Sequence, residues 1–471
     1  MGVWFGGLVG AIIGVVLAAI GIAVAIILSE HKKQQAGRDK ILNRLDTADM
    51  LLQENMTADA LAIYTSLLKE VSKEKDSETY ALIKNSEGKC YYNLSFRAKR
   101  AENLIKAIAA FEDSAKFSNP QKSPDSYALT CYNLGSAYMN LSEFHEEEKS
   151  LKKAAEAFRK TLSVYTLSAN PSGYALVNHN LCSAYNVLAG FSDIENNLLK
   201  AAKYCEETLN VYTPEGYPLN YASAQMKLGS IFNALSSFRN EEEYLSRAVN
   251  SYKATLNIYI PEKYPAEFAA AHKVIGDCYK SFAENSESES DITNAVTAYE
   301  EALKVYSADN DPIIYTGIKK NLGDLYSSSA AAGEKPDNLL KAIRFYEEAL
   351  AIYNAVDQPI EFSGIQQKLG DVQLMLFTAG GKEKNLLNGI TAYLEALKVM
   401  TILEHPLDYA SIHHKLGDAY TDLAKLADEA SNLKKAQSTY IEALKVYTFE
   451  DTPLDHKVVF LKLEKIRRIV S

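Results

Sequence analysis

The chain has 471 residues, too many for one ordinary hydrophobic core, so several domains or a repeat array are the natural architectures. A 47% hydrophobic and 23% charged composition excludes a disordered chain, and a formal net charge of −10 disfavours nucleic-acid binding. The five cysteines (Cys90, Cys131, Cys182, Cys205, Cys278) form no CxxC pair and are odd in number, which argues against a disulfide framework or zinc site and for a reducing compartment.

The chain opens with 26 uncharged residues, Val3 to Leu28. As a helix at 1.5 Å per residue they reach about 39 Å, enough to cross a hydrocarbon core of about 30 Å. There is no basic n-region and the apolar run is too long for a cleaved signal, so the stretch reads as a retained anchor over 1–30, with a linker over 31–37. Gly2 is not followed by Ser or Thr at position 6, so the myristoylation pattern fails. Lys32, Lys33, Arg38 and Lys40 follow the span and no charged side chain precedes it. The positive-inside bias then predicts a single-pass membrane protein, N-terminus outside and C-terminal body cytoplasmic. Sequon matches at Asn55, Asn93 and Asn140 point the other way. Gly6, Gly10, Gly14 and Ala18 recur every four residues along one face, a spacing that permits close lateral association of membrane helices.

The body, 38–453, is periodic. The hexapeptide EALKVY occurs at Glu301–Tyr306 and Glu442–Tyr447, with EALKVM at Glu395–Met400, at offsets of 141 and 94 residues, both multiples of 47. Glycine keeps that register at Gly88, Gly135, Gly229, Gly276, Gly323, Gly370 and Gly417, with Cys182 filling the one gap. Proline keeps it at Pro124, Pro171, Pro218, Pro265, Pro312, Pro359, Pro406 and Pro453. A third column reads Ala60, Ala107, Ala154, Ala201, Ala248, Ala295, Ala342, Gly389 and Ala436.

Each unit reads as two helices. Proline opens the first, where its fixed φ and missing N–H are harmless. The second carries alanine, an aromatic four residues on and a leucine eight on, as in Ala295, Tyr299 and Leu303, all on one helical face. Small residues opposite large rings suit closely packed helices. The 30 tyrosines, against one tryptophan, fall mostly on such columns and read as packing. A variable polar loop separates the helices. Residues 38–73 form a worn first pair, and 454–471 a last, unpaired first helix whose Lys457, Lys462, Lys465, Arg467 and Arg468 would solvate the end of the array.

These columns resemble the tetratricopeptide repeat (TPR) family, whose short form has a 34-residue period, L-G-x2-Y in the first helix and A-x3-F-x2-A in the second. The matches here are Leu322-Gly323 with Tyr326, then Ala342, Tyr346 and Ala349, then Pro359; Leu416-Gly417 with Tyr420, then Ala436, Tyr440, Ala443 and Pro453 match equally. The unit is 13 residues longer, and the family's Trp column holds Cys131, His272 and His413 among others. The resemblance implies an all-α, right-handed α-solenoid of about nine helix-turn-helix repeats plus a capping helix, here preceded by one transmembrane helix. It also implies a concave groove, lined by first helices, that binds proteins or peptides. Carried over by register, groove-lining positions are Lys273 and Asp277, Lys320 and Asp324, Gln367 and Asp371, and His414 and Asp418. Lysine and aspartate at i,i+4 can also simply pair along a helix. The two-Lys, two-Asn carboxylate clamp of some members is not matched.

No catalytic, metal or cofactor motif emerges: HEEE at His145 lacks a second histidine, and AGGKEKN at Ala379 lacks phosphate-loop spacing. The expectation is a non-enzymatic, membrane-anchored scaffold or adaptor with protein or peptide partners and no cofactor. The alternatives are a self-assembling, homo-oligomeric array or filament at the membrane, and a transport or assembly receptor.

Overall fold

The computed structural model describes residues 29, 31–32, 35 and 37–470, apart from 239, 287 and 334–335. The chain divides into two compact units, one ending at Tyr217 and the other beginning at Pro218. The first holds α1 (helical over 37–53), α2 (Thr57–Glu70), α3 (Ser77–Ser95), α4 (Arg100–Phe117), α5 (Pro124–Ser142), α6 (Glu147–Leu162), α7 (Pro171–Leu188) and α8 (Ile194–Leu209). The second holds α9 (Pro218–Ser236), α10 (Glu241–Thr255), α11 (Pro265–Ser286), α12 (Glu289–Ala302), α13 (Pro312–Gly333), α14 (Pro336–Leu350), α15 (Pro359–Thr378), α16 (Glu383–Ala396), α17 (Pro406–Ala424), α18 (Glu429–Leu444) and α19 (Pro453–Val470). Odd helices are the first and even helices the second members of the repeated pairs.

The pairs are antiparallel. The Ser114 hydroxyl on α4 donates to the Ala81 carbonyl on α3 at 2.7 Å, while Gly88 lies against Phe111, so position rises along one helix as it falls along the other. The glycine column makes this approach possible. A Cβ added at Gly88, Gly135, Gly229, Gly276, Gly323, Gly370 or Gly417 would stand 2.5–2.7 Å from the ring of Phe111, Phe158, Tyr252, Tyr299, Tyr346, Tyr393 or Tyr440 respectively. Each ring is 23 residues beyond its glycine and almost wholly buried. The eight alanines of the second-helix column are 0% exposed, so their own neighbours also depend on a methyl being the largest group there.

Five of the turns inside the pairs are less variable than their sequences. Lys99, Glu146, Asp193, Asn240 and Asp428 share one register and all adopt left-handed backbone, with φ between 43° and 48°. Four residues on, a polar side chain reaches back across the turn: Asn103 Nδ2 donates to the Ala98 carbonyl at 2.8 Å, Asn197 to Ser192 and Asn432 to Ala427, both at 2.7 Å. A carbonyl of the turn, just ahead of the second helix, thereby gains a donor.

The expected membrane span over 3–28, with its Gly6, Gly10, Gly14 and Ala18 face, lies outside the described residues. Among the described residues no helix is long and apolar enough to cross a membrane. The architecture is therefore corrected to an all-helical repeat array without a described membrane helix, and the single-pass placement is not supported. The physical reason is visible helix by helix: apolar residues form stripes that face neighbouring helices. Even α7, which has no charged side chain, interleaves Asn178, His179, Asn180 and Asn186 with them.

Two kinds of helical glycine give opposite expectations. Gly323→Ala drives a methyl into the Tyr346 ring and is expected to destabilise the protein by about 1–3 kcal/mol. Gly317→Ala and Gly364→Ala, inside α13 and α15 with open space around them, are each expected to stabilise it by about 0.5–1 kcal/mol through helix propensity. Urea unfolding of the three variants measures this, and a common sign would refute it.

Candidate functional site

The predicted acidic column lies on the first helices of the second unit. Its carboxylates are engaged by the fold itself. Tyr299 OH donates to Asp277 and Tyr346 OH to Asp324, both at 2.7 Å; Tyr393 OH donates to Asp371 and Tyr440 OH to Asp418, both at 2.6 Å. The same tyrosines fill the glycine notches, so the ring packs and its hydroxyl ends on the acid one residue past the glycine. Burial first, and then the neighbouring aspartate, push each of these phenols well above the usual tyrosine range.

A third helix completes each contact. Lys368 Nζ reaches Asp324 at 2.6 Å, Lys415 reaches Asp371 at 2.7 Å and Lys462 reaches Asp418 at 2.7 Å, always from the next first helix. At Asp277 that place belongs to Asn321, whose Nδ2 lies 3.4 Å from the carboxylate and 3.0 Å from Tyr299 OH. Each aspartate thus ties three helices: its own, its partner and the start of the following pair. Lys462 carries the series onto α19.

The basic half of the predicted set is heterogeneous. Lys273 pairs along its helix with Asp277 at 2.7 Å. Lys320 is half-buried, and burial lowers its pKa while Asp324 opposes that shift. Gln367 sits at the same register with no charge to pair. His414 Nε2 is 2.8 Å from Lys462 Nζ, so the ammonium donates and the ring is neutral, in keeping with a pKa lowered by burial and by Lys462. Beside this column, the longer helices α11 and α13 frame with α12 an open cleft of about 470 Å3, lined by Lys280, Glu284, Ile292, Asp324, Leu325 and Ser328 among others.

Two histidines stand on the first helices four residues before the glycine. His272 lies against Phe268 and His413 against Tyr409, with ring centroids 4.4 and 4.3 Å apart. Both Nδ1 atoms are buried without a hydrogen-bond partner among the described residues. Burial lowers both pKa values; Glu301 and Glu442 on the facing helices oppose this, and Lys304 and Lys445 add to it. Glu301 and Glu442 open the two EALKVY copies, so the glutamate of that hexapeptide looks toward the partner helix, where Glu442 accepts from Tyr409 OH at 2.9 Å.

Two pairs of the first unit make the same contacts without acids, although Tyr64, on the same ring column, donates its hydroxyl to Asp49. In those two pairs the ring column holds Phe111 and Phe158, which have no hydroxyl, opposite Lys89 and Ser136 in the acidic register. The ties between their first helices are amides: Asn133 Nδ2 donates to Asn85 Oδ1 at 3.0 Å, and Asn140 Nδ2 to Tyr92 OH at 2.9 Å. What this unit leaves open is apolar. Leu82, Leu129 and Leu176 occupy one register on α3, α5 and α7 and are 43%, 37% and 41% exposed. The following repeats hold Ser223, Ala270, Gly317, Gly364 and Ser411 at that register. Leu82 and Leu129 line an open cleft of about 550 Å3 with Leu52, Asp49, Lys89 and Asp125. An aliphatic residue repeating every 47 positions off the packing columns was the signal in the sequence.

Burial pushes the thiols of Cys90 and Cys278 up to about 12, away from the reactive thiolate. Among the described residues no group of His, Cys, Asp and Glu side chains is placed to hold a metal.

No family model matches the chain, and no curated protein matches it. Solved structures that resemble it include the C-terminal part of a TPR repeat-containing protein from Cytophaga hutchinsonii, at 13% identity and a TM-score of 0.40, covering 65% of this chain and 95% of that one. The apo form of RapI aligns at 12% identity and a TM-score of 0.39, over 91% and 97% of the two chains. The apo form of the quorum sensor NprR from B. thuringiensis aligns at 16% identity and 0.35, over 87% and 99%.

Two outcomes follow from the buried polar groups. Asp324→Ser leaves Tyr346 OH buried without its acceptor and is expected to cost about 1–3 kcal/mol. Adding Tyr346→Phe recreates the Phe158–Ser136 combination and is expected to recover most of that loss, so additive effects in urea unfolding would overturn the assignment. His272 and His413 have pKa values depressed by folding. Their contribution to stability is therefore full above the unfolded value of about 6.5 and is lost as pH falls through the folded values. His272→Gln with His413→Gln, the residue that stands at Gln225 and Gln366, should flatten the fall in melting temperature between pH 8 and pH 5.5; an unchanged slope would exclude the histidines as its source.

Proposed function

We propose that the protein is a non-enzymatic binding scaffold whose first-helix face in the first unit seats a segment of a partner protein. The observation that carries this reading is the row of exposed leucines, Leu82, Leu129 and Leu176, one per repeat, of which the first two line an open cleft. Packing does not call for them, since the same register in the second unit is filled by small residues. Aliphatic side chains held half in water by rigid helices gain free energy when a partner covers them. The cleft lining bears Asp49 and Asp125 against Lys89, an acidic balance that favours a basic segment and disfavours nucleic acid. The occupant is therefore an aliphatic segment carrying lysine or arginine. The second unit, whose acidic column is spent on ties between repeats, acts as the stiff remainder.

Selection of displayed random peptides on the full-length chain tests this. Wild-type protein is expected to enrich basic, aliphatic sequences. Leu82→Ser, Leu129→Ser and Leu176→Ser together should weaken the selected peptides about 100-fold, since each leucine contributes on the order of 1 kcal/mol when covered. Helical content and melting temperature should hardly change, because the three side chains are already exposed. Failure to enrich any sequence class, or equal binding by the triple variant, would end the proposal.

A further inference from the structure

The fourth pair breaks the glycine–ring rule on both sides at once. At the register of the seven glycines stands Cys182, and at the register of the seven opposing rings stands Cys205. Both are thiols, and they are 0% and 1% exposed. Neither change is tolerable alone. A Cβ at the glycine position would strike the ring, as it would in the other pairs, and a cysteine opposite glycine would leave a void where a ring belongs. Made together, the two changes conserve volume and put two sulfur atoms in the space of one ring.

The register also fixes how far apart the two side chains begin. In the other pairs the ring carbons that a glycine Cβ would strike are Cδ1 and Cε1, which lie close to the ring residue's own Cβ. The same register would set the Cβ atoms of residues 182 and 205 facing each other between α7 and α8, at a separation compatible with the short span that a disulfide bridges. We infer that Cys182 and Cys205 form a redox-modifiable pair, able to close a reversible disulfide that staples α7 to α8.

The chemistry needs an oxidant, and a low-molecular-weight disulfide is sufficient. The thiolate of one cysteine attacks a sulfur of the small disulfide, forming a mixed disulfide and releasing one small thiolate. The second cysteine thiolate then attacks the protein-side sulfur, forming the Cys182–Cys205 bond and releasing the other small thiolate. Two protein thiols lose two electrons and two protons; the small disulfide gains them as two thiols. Because both sulfurs are buried, the exchange proceeds through local opening of the pair and is slow. The remaining cysteines are internal controls, since Cys90, Cys131 and Cys278 lie on neither column.

The test uses the full chain under native conditions. It is incubated with glutathione disulfide, its thiols are blocked with N-ethylmaleimide, and it is digested without reduction for peptide mapping. A crosslinked Cys182–Cys205 peptide is expected, with Cys90, Cys131 and Cys278 recovered blocked, and dithiothreitol should reverse the link. The oxidised protein should melt several degrees higher, as closing a loop of this length restricts the unfolded chain. Cys182→Gly with Cys205→Phe, which rebuilds the Gly135–Phe158 couple, should fold normally and melt identically with and without oxidant. Recovery of Cys182 and Cys205 as blocked thiols after prolonged oxidation of folded wild-type protein would overturn the inference. So would a crosslink that distributes equally over the other cysteines. The wild-type peptide map decides the matter even where the double variant does not fold.

Discussion

One contact governs the rest of this protein: an aromatic ring of a second helix pressed into a notch that a glycine leaves in its first helix. A ring inserted where a Cβ would stand only 2.5–2.7 Å away brings the two backbones closer than any other residue at that place would allow. Seven described pairs use it. Because each ring and each glycine must return in phase, neither helix can gain or lose a residue between them without rotating one partner out of the notch. The 47-residue period is the sequence-level trace of that requirement, repeated from α3 to α18.

Burying the ring decides what else must be polar. A tyrosine in the notch carries its hydroxyl into the interior, where an unmet donor costs more than the bond itself contributes. For Tyr299, Tyr346, Tyr393 and Tyr440 the acid one residue past the glycine accepts it. That acid, drawn inward, in turn takes Lys368, Lys415 or Lys462 from the following repeat. The ion pairs are each about a third exposed on at least one side and contribute modestly as Coulomb energy. Their larger effect is geometric, since one carboxylate fixes three helices at once. Where the ring is Phe111 or Phe158, the hydroxyl, the acid and the lysine all disappear together, and amides join the first helices instead.

The period, the helix pairs, the interlock and the packing role of tyrosine were legible because each is a local pattern multiplied many times. The partners of the acidic column were not. Lys–Asp spacing along one helix pointed to i,i+4 pairs, and Lys273–Asp277 does pair so, yet the stronger ties run to residues 22 and 44 positions away. Separations of that size carry meaning only once the repeat length is converted into helix register. The left-handed turn residues escaped notice for a different reason. Lys99, Glu146, Asp193, Asn240 and Asp428 share a backbone conformation but no side-chain type. An apolar run at the start of the chain, read as a membrane span, falls outside the described residues, and no described helix has its character.

The two units therefore differ in what their first helices have left to offer. In the second, the polar residues that resemblance to other repeats would assign to a groove are consumed in holding successive pairs together. A ligand that drew on Asp324 or Asp371 would have to displace a buried tyrosine hydroxyl and a lysine, at a cost comparable to what it could gain. In the first, amides join α3 to α5, the Phe111 and Phe158 rings need no acceptor, and the column beside them carries leucines that stay 37–43% exposed. A surface free of structural obligations can change its side chains without loosening the array. The repeat whose notch is filled by Cys182 and Cys205 shows that even the governing contact can be rewritten when both of its members change together.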